Sequence, residues 1–323
     1  VQRGLLAQKC RWMINFLSWV INKPESAARP VEKTETDEDQ RARREGDAKC
    51  LEDFDVGKEE RRGSHTIPLG EMPSETLVFV DADGVVNVGI RDAPGQSPLL
   101  LCESNLARCK LASGLSATGP SAIISSVASR EIGHGDDGTY AKFATSPGSF
   151  DISSILAQRL GRIIDSAGPR CTMVLSSSWR KPSHRPRVEA LEAAISKHCG
   201  RPMAFNERTG PGGDEPEKRL QLIGNYVHDY SSSRRRSGDG PLRILVLDDF
   251  AATHPNKWKI PDINSTTSVE ETLRKRSANP ENTFVKLVHT YEEWHTETGA
   301  QVQIGCGLTM KKVDEAESFL RAE

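Results

Sequence analysis

Three apolar runs, Leu77 to Val80, Thr172 to Leu175 and Leu242 to Leu247, are separated by long amphipathic stretches, and this alternation most limits what the chain can become. Each run is short for a buried helix and long enough for a buried strand. Between the first two, Ile152, Ile155, Leu156, Leu160, Ile163 and Ile164 recur at helical spacing, with Gly168 placed to end the helix. A second helix is predicted from Arg187 to Cys199, with Val188, Leu191 and Ile195 on one face and Gly200 as its stop. A third covers Glu217 to His228 through Leu222, Ile223 and Tyr226. Phe284 to Val288 adds a further strand, and a last helix runs from Thr309, its N-cap, to Leu320. Strands that alternate with helices in this way pair in parallel and are covered on both faces. The expectation is an α/β, Rossmann-like three-layer α/β/α domain with a mainly parallel sheet.

That domain is expected to span residues 74–323. A Ser-, Gly- and Ala-rich stretch at about 95–148 breaks the alternation after the first strand and reads as an insertion, either a small cap or a mobile loop. Ahead of the domain, residues 23–73 read as a charged, disordered linker. Its centre, Val31 to Gly63, is mostly Glu, Asp, Lys and Arg and has too little apolar surface to fold alone. Residues 1–22 form an apolar, amphipathic segment that is shorter and more polar than a spanning helix. Three readings compete for residues 5–21: packing on the domain or on a partner protein, an interfacial membrane helix, or the remnant of a targeting sequence. Seven scattered cysteines without a Cys-x-x-Cys pair argue for a reducing compartment, so an intracellular, cytoplasmic or nuclear protein is expected. A net charge of −2 argues against wholesale polyanion binding and leaves nucleic-acid contact to a local patch.

The first apolar run empties into Asp81-Ala82-Asp83-Gly84. In open α/β sheets ligands bind beyond the carboxyl ends of the strands, so carboxylates there are placed for chemistry. Such a group ligates Mg²⁺, attacks phosphorus or acts as a general acid. Alternation along an extended chain would point Asp81 and Asp83 to one side. The plainer reading is a solvated turn, which Asp and Gly both favour. Three further polar ends follow: Ser176-Ser177-Ser178-Trp179-Arg180, Lys218-Arg219 and Asp248-Asp249.

Their order resembles the haloacid-dehalogenase-like superfamily of phosphohydrolases, over about Thr76 to Leu320. Val-Phe-Val-Asp-Ala-Asp-Gly-Val-Val-Asn resembles its first motif, Met-Val-Leu-Ser its second, Lys218 or Arg219 its third, and Leu-Val-Leu-Asp-Asp its fourth. The Asp-x-Asp-Gly-Val-x-Asn form, Leu-Ser-Ser-Ser-Trp-Arg and Gly307-Leu308-Thr309 before the final helix are most similar to the small domains of this superfamily found in nucleic-acid repair polypeptides.

The resemblance implies a Mg²⁺-dependent phosphatase acting on a phosphomonoester, either a phosphorylated small molecule or a nucleic-acid end. It makes Asp81 the nucleophile and Asp83 the general acid and base. It also implies that Mg²⁺ is held by Asp81, a backbone carbonyl near Asp83, and the Asp248/Asp249 pair, with Asp249 favoured as the direct ligand. Ser176 and Ser177 would contact phosphoryl oxygens, as would Arg180, whose planar fork suits them. The family's usual Lys favours Lys218 as the third-motif cation. Helical spacing favours Arg219, which shares a face with Leu222, Ile223 and Tyr226. The alternatives are a non-catalytic binding or scaffold domain of the same fold, and a phosphotransferase. Trp179 reads as structural. Arg234-Arg235-Arg236, set among serines, reads as an exposed basic loop that could meet nucleic-acid phosphates.

Overall fold

Leu77 and Phe79 point to one side of the first strand and Val78 and Val80 to the other, and all four are fully buried. A strand with no polar face must be central in its sheet. The computed structural model describes residues 74–91, 99–112, 120–211, 216–234, 240–249, 266–295 and 301–322. The segments 1–22 and 23–73 lie outside them. In chain order the elements are β1 (Glu75–Val80), β2 (Gly89–Arg91), β3 (Leu99–Leu100), α1 (Glu103–Ala112), α2 (Pro120–Ser129), α3 (Ser154–Ser166), β4 (Cys171–Leu175), α4 (Arg185–Cys199), β5 (Glu207–Arg208), α5 (Pro216–Arg234), β6 (Leu242–Asp248), α6 (Thr266–Arg276), β7 (Thr283–His289), β8 (Tyr291–His295), β9 (Gln301–Gly305) and α7 (Met310–Arg321).

The main sheet has the order β5-β4-β1-β6-β7, and every pairing in it is parallel. Val80 pairs with Leu175 on one side and Leu247 on the other, so β1, β4 and β6 end level with one another. One face of the sheet, through Val78, Val80, Met173, Leu175, Leu245 and Leu247, packs against α3, α4 and α7. The other face, through Leu77, Phe79, Val174, Ile244 and Val246, packs against Leu220, Ile223 and Val227 of α5 and Val269 and Leu273 of α6. Each fully buried Leu, Val or Phe contributes roughly 1.5–3 kcal/mol relative to exposure. The central strands are therefore the most strongly specified part of the fold.

A second, antiparallel sheet of order β3-β2-β9-β8 was not expected from the sequence. Its strands are short and carry polar residues among the apolar ones, so no apolar run marks them. Within the insertion, Cys109 of α1, Ile124, Val127 and Ala128 of α2, and Tyr140 and Phe143 join the same core as the first sheet face. The turn Gly135–Asp137 is anchored as well. The buried Asp137 pairs with Arg159 of α3 and accepts a 2.7 Å hydrogen bond from the Met310 amide at the start of α7.

Two other differences from expectation are local. The helix predicted to stop at His228 continues to Arg234, with the Ser231 and Ser233 hydroxyls bonded back to the Val227 and Tyr230 carbonyls. Arg234 is thus the last residue of α5, paired with Glu75 at 2.8 Å, rather than part of a basic loop. Arg235 and Arg236 lie outside the described residues. The five cysteines among the described residues carry no disulfide, and no described helix is long and apolar enough to cross a membrane.

Candidate active site

Asp81 is the first residue beyond β1, and Asp248 is the last of β6, with Asp249 directly after it. The two strands are hydrogen-bonded neighbours, and the Asp81 amide donates to the Leu247 carbonyl at 2.9 Å. All three side chains are buried, and each offers an oxygen within 4.8 Å of the others. Anionic groups this close and this dry repel strongly unless a cation stands among them.

Arg219 supplies one such cation from the first turns of α5. Its guanidinium lies 2.5 Å from Asp81 Oδ2, 3.1 Å from Asp248 Oδ1 and 3.5 Å from Asp249 Oδ1. Burial works against its charge, but Asp248, Asp81 and Asp249 together outweigh that and hold the guanidinium protonated. Lys218 is exposed, whereas Arg219 is buried on the face of α5 that carries Ile223. The one guanidinium thus bridges all three carboxylates. Burial pushes the Asp81 carboxyl up to about 6, Arg219 pulls it down, and Asp249 and Asp83 push it further up.

Asp83 is held differently. The strand stops at Val80, and the amides of Val85 and Val86 both donate to the Ala82 carbonyl, so residues 82–86 curl into a turn. The chain is no longer extended there, so strand alternation does not set the direction of Asp83, whose charge nonetheless reaches Asp81. Asp83 Oδ2 accepts from the Trp179 indole Nε1 at 3.1 Å, and Oδ1 accepts from Asn87 Nδ2 at 3.1 Å. Its carboxylate stands outside the three-carboxylate cluster. Trp179 is fully buried, as a structural Trp should be, and it also orients Asp83.

Gly84 makes this turn possible. Its φ is +82°, and a Cβ there would lie 2.7 Å from Asp249 Oδ2. Its carbonyl accepts from the Gly307 amide at 3.0 Å, and the Val85 carbonyl accepts from Leu308 at 3.1 Å. The Gly307-Leu308-Thr309 segment is thus a backbone clamp on the acidic turn, and Thr309 is the N-cap position of α7 as expected.

Of the other sequence candidates, Ser176 follows β4, and its buried Oγ has no hydrogen-bond partner among the described residues. Ser177 lies near Asp81 and favours its charged form, and its Oγ accepts from the Trp179 amide at 3.3 Å. Arg180 is buried, and its Nη1 donates to the Ser177 carbonyl at 2.7 Å, so it buttresses the serine turn. The acidic cluster, Arg219, Asp83 and the serines therefore all gather at the carboxyl ends of β1, β4 and β6. Asn87 was legible only as a member of the first motif. Its contact to Asp83 joins positions four residues apart in a turn whose shape the sequence alone does not fix. The chain matches no protein-family model, no curated protein and no solved structure.

Proposed function

We propose that this protein is a Mg²⁺-dependent phosphatase of the haloacid-dehalogenase-like type, acting on a phosphomonoester through an aspartyl-phosphate on Asp81. The observation that carries the reading is the buried cluster of Asp81, Asp248 and Asp249, bridged by the Arg219 guanidinium, at the mouth of a parallel sheet. Three hard oxygen donors, each within 4.8 Å of the others, fit Mg²⁺. When bound, the ion would draw charge from the phosphoryl oxygens and lessen their repulsion of a carboxylate.

The chain's own residues supply the remaining parts. An Asp81 oxygen attacks phosphorus, the bond from phosphorus to the leaving oxygen breaks, and that oxygen takes the proton from Asp83. Asp83 then takes a proton from water as its oxygen attacks phosphorus, and the Asp81 carboxylate is released with inorganic phosphate. The unpartnered Ser176 hydroxyl is a ready donor to a phosphoryl oxygen, and Arg219 offsets charge developing beside Asp81.

The packed insertion, α1, α2 and the sheet edge they accompany, would serve as a small cap that selects the leaving group. The direct test is Mg²⁺-dependent phosphate release from 4-nitrophenyl phosphate by wild type, Asp81→Asn, Arg219→Ala and Lys218→Ala. Loss in the first two variants and retention in the third is expected. Equal release by wild type and Asp81→Asn overturns the reading.

A further inference from the structure

Asp83 belongs to a closed circuit of five residues, four of which the reaction above does not use. From Asp83 Oδ2 the circuit passes to the Trp179 indole Nε1, 3.1 Å away. The guanidinium of Arg187 lies over the Trp179 ring, 5.4 Å from its centre, and its Nη2 is 2.8 Å from Asp151 Oδ2. The Asp151 carbonyl accepts from Asn87 Nδ2 at 3.1 Å, and the same Nδ2 returns to Asp83 Oδ1. Asn87 Oδ1 meanwhile accepts from the Gly84 amide at 2.9 Å and ties the circuit to the acidic turn.

Two features of the far side are unfavourable taken alone. Arg187 stands in the first turn of α4, a turn without any acidic residue, where the helix dipole disfavours a cation. Phe150 and Asp151 both adopt left-handed backbone, with φ of +54° and +64°, which L-residues rarely do in succession. Local costs of this kind persist where the surroundings enforce them, and they concentrate around functional groups. Here both costs serve one contact, the ion pair that places the Asp151 carbonyl on Asn87 and the guanidinium on Trp179.

We propose that Arg187 and Asp151 are positioning residues that fix the Asp83 carboxylate through Trp179 and Asn87. The proposal rests on the reading of Asp83 as proton donor for its kinetic consequence, but not for its structural one. Arg187→Met keeps the aliphatic stem and removes the guanidinium. Asp151→Asn removes the charge and keeps a residue that tolerates left-handed backbone.

The structural readout is the indole N–H of Trp179 in the full ¹⁵N-labelled chain, identified by its absence in Trp179→Phe. Its exchange with water is expected to quicken by about tenfold or more in both variants. The kinetic readout compares 4-nitrophenyl phosphate, whose leaving oxygen needs little protonation, with an alkyl phosphate, whose leaving oxygen needs much. Each variant is expected to lose on the order of tenfold in kcat on the alkyl ester and less than about twofold on the aryl one, with KM unchanged. Arg187→Lys, which keeps the ion pair, is expected to recover part of the loss. An unchanged indole exchange rate in both variants overturns the proposal whatever the activity. Equal loss on the two esters overturns it as well. Equal phosphate release by wild type and Asp81→Asn fails the phosphatase reading instead, and the indole exchange then decides the circuit alone.

Discussion

A buried carboxyl whose affinity for protons rises on folding makes the metal-free protein less stable as pH increases, and Asp81 is such a group. Its folded value of about 6 lies above the ordinary 3.8. Between those two values the folded state holds a proton that the unfolded chain has lost, so stability falls across that window and stays low above it. At about 1.4 kcal/mol for each tenfold in proton affinity, the cost at pH 8 is about 3 kcal/mol. Asp81→Asn removes the charge without changing the shape. It forfeits about 1 kcal/mol of hydrogen bonding to Arg219, which keeps Asp248 and Asp249. The net gain of about 2 kcal/mol corresponds to a Tm higher by about 4–8 °C for a domain of this size.

Thermal unfolding in EDTA at pH 8 and pH 4 reads this directly. The variant is expected to be the more stable at pH 8, with the difference shrinking towards pH 4, where wild-type Asp81 is protonated. Saturating Mg²⁺ at pH 8 is expected to raise the wild type and not the variant, since an ion that binds only the folded state stabilises it by mass action. An Asp81→Asn variant that melts below wild type in EDTA at pH 8 would refute the reasoning, because the ionised carboxylate would then stabilise the fold on balance.

Two further substitutions probe the frame around the cluster. Gly84→Ala places a Cβ 2.7 Å from Asp249 Oδ2 at a φ of +82°. It should cost roughly 1–2 kcal/mol for the left-handed backbone alone. By displacing Asp249 it should also reduce the Mg²⁺-induced rise in Tm, as differential scanning fluorimetry with and without Mg²⁺ would reveal. Asp137→Ala leaves Arg159 buried without its carboxylate and the start of α7 without its acceptor. Urea unfolding should show a loss of about 3–5 kcal/mol. A loss below about 1 kcal/mol would mean that the insertion is not anchored to the core through this turn.

The parts legible in the sequence are those set by local period. β1, β4 and β6 announce themselves as apolar runs, because a central parallel strand has no solvent face to vary. The Lys218 and Arg219 alternatives divide by the 3.6-residue repeat of α5, which turns one inward and the other out. What the sequence hides is set by pairing at a distance. β2 meets β9, more than 200 residues on, in a three-residue register from Gly89↔Gly305 to Arg91↔Gln303, and neither strand has an apolar run to mark it. The helix α6 escapes for a related reason: among its described side chains only Val269 and Leu273 join the core, so its charged residues mask the repeat.

The site stands at the boundary between these two kinds of information. Asp81, Ser176, Asp248 and Asp249 fall at strand ends that the apolar runs locate, and their convergence follows once the three strands lie side by side. Asp83 does not follow in that way. It leaves the strand, and its direction depends on Trp179 and Asn87, with the Gly307 clamp holding the turn they act upon. Substitutions at strand ends should therefore act on charge and ligand binding. Substitutions at Trp179, Asn87, Arg187 or Gly307 should act on geometry, and their effects should grow with the leaving group's need for a proton.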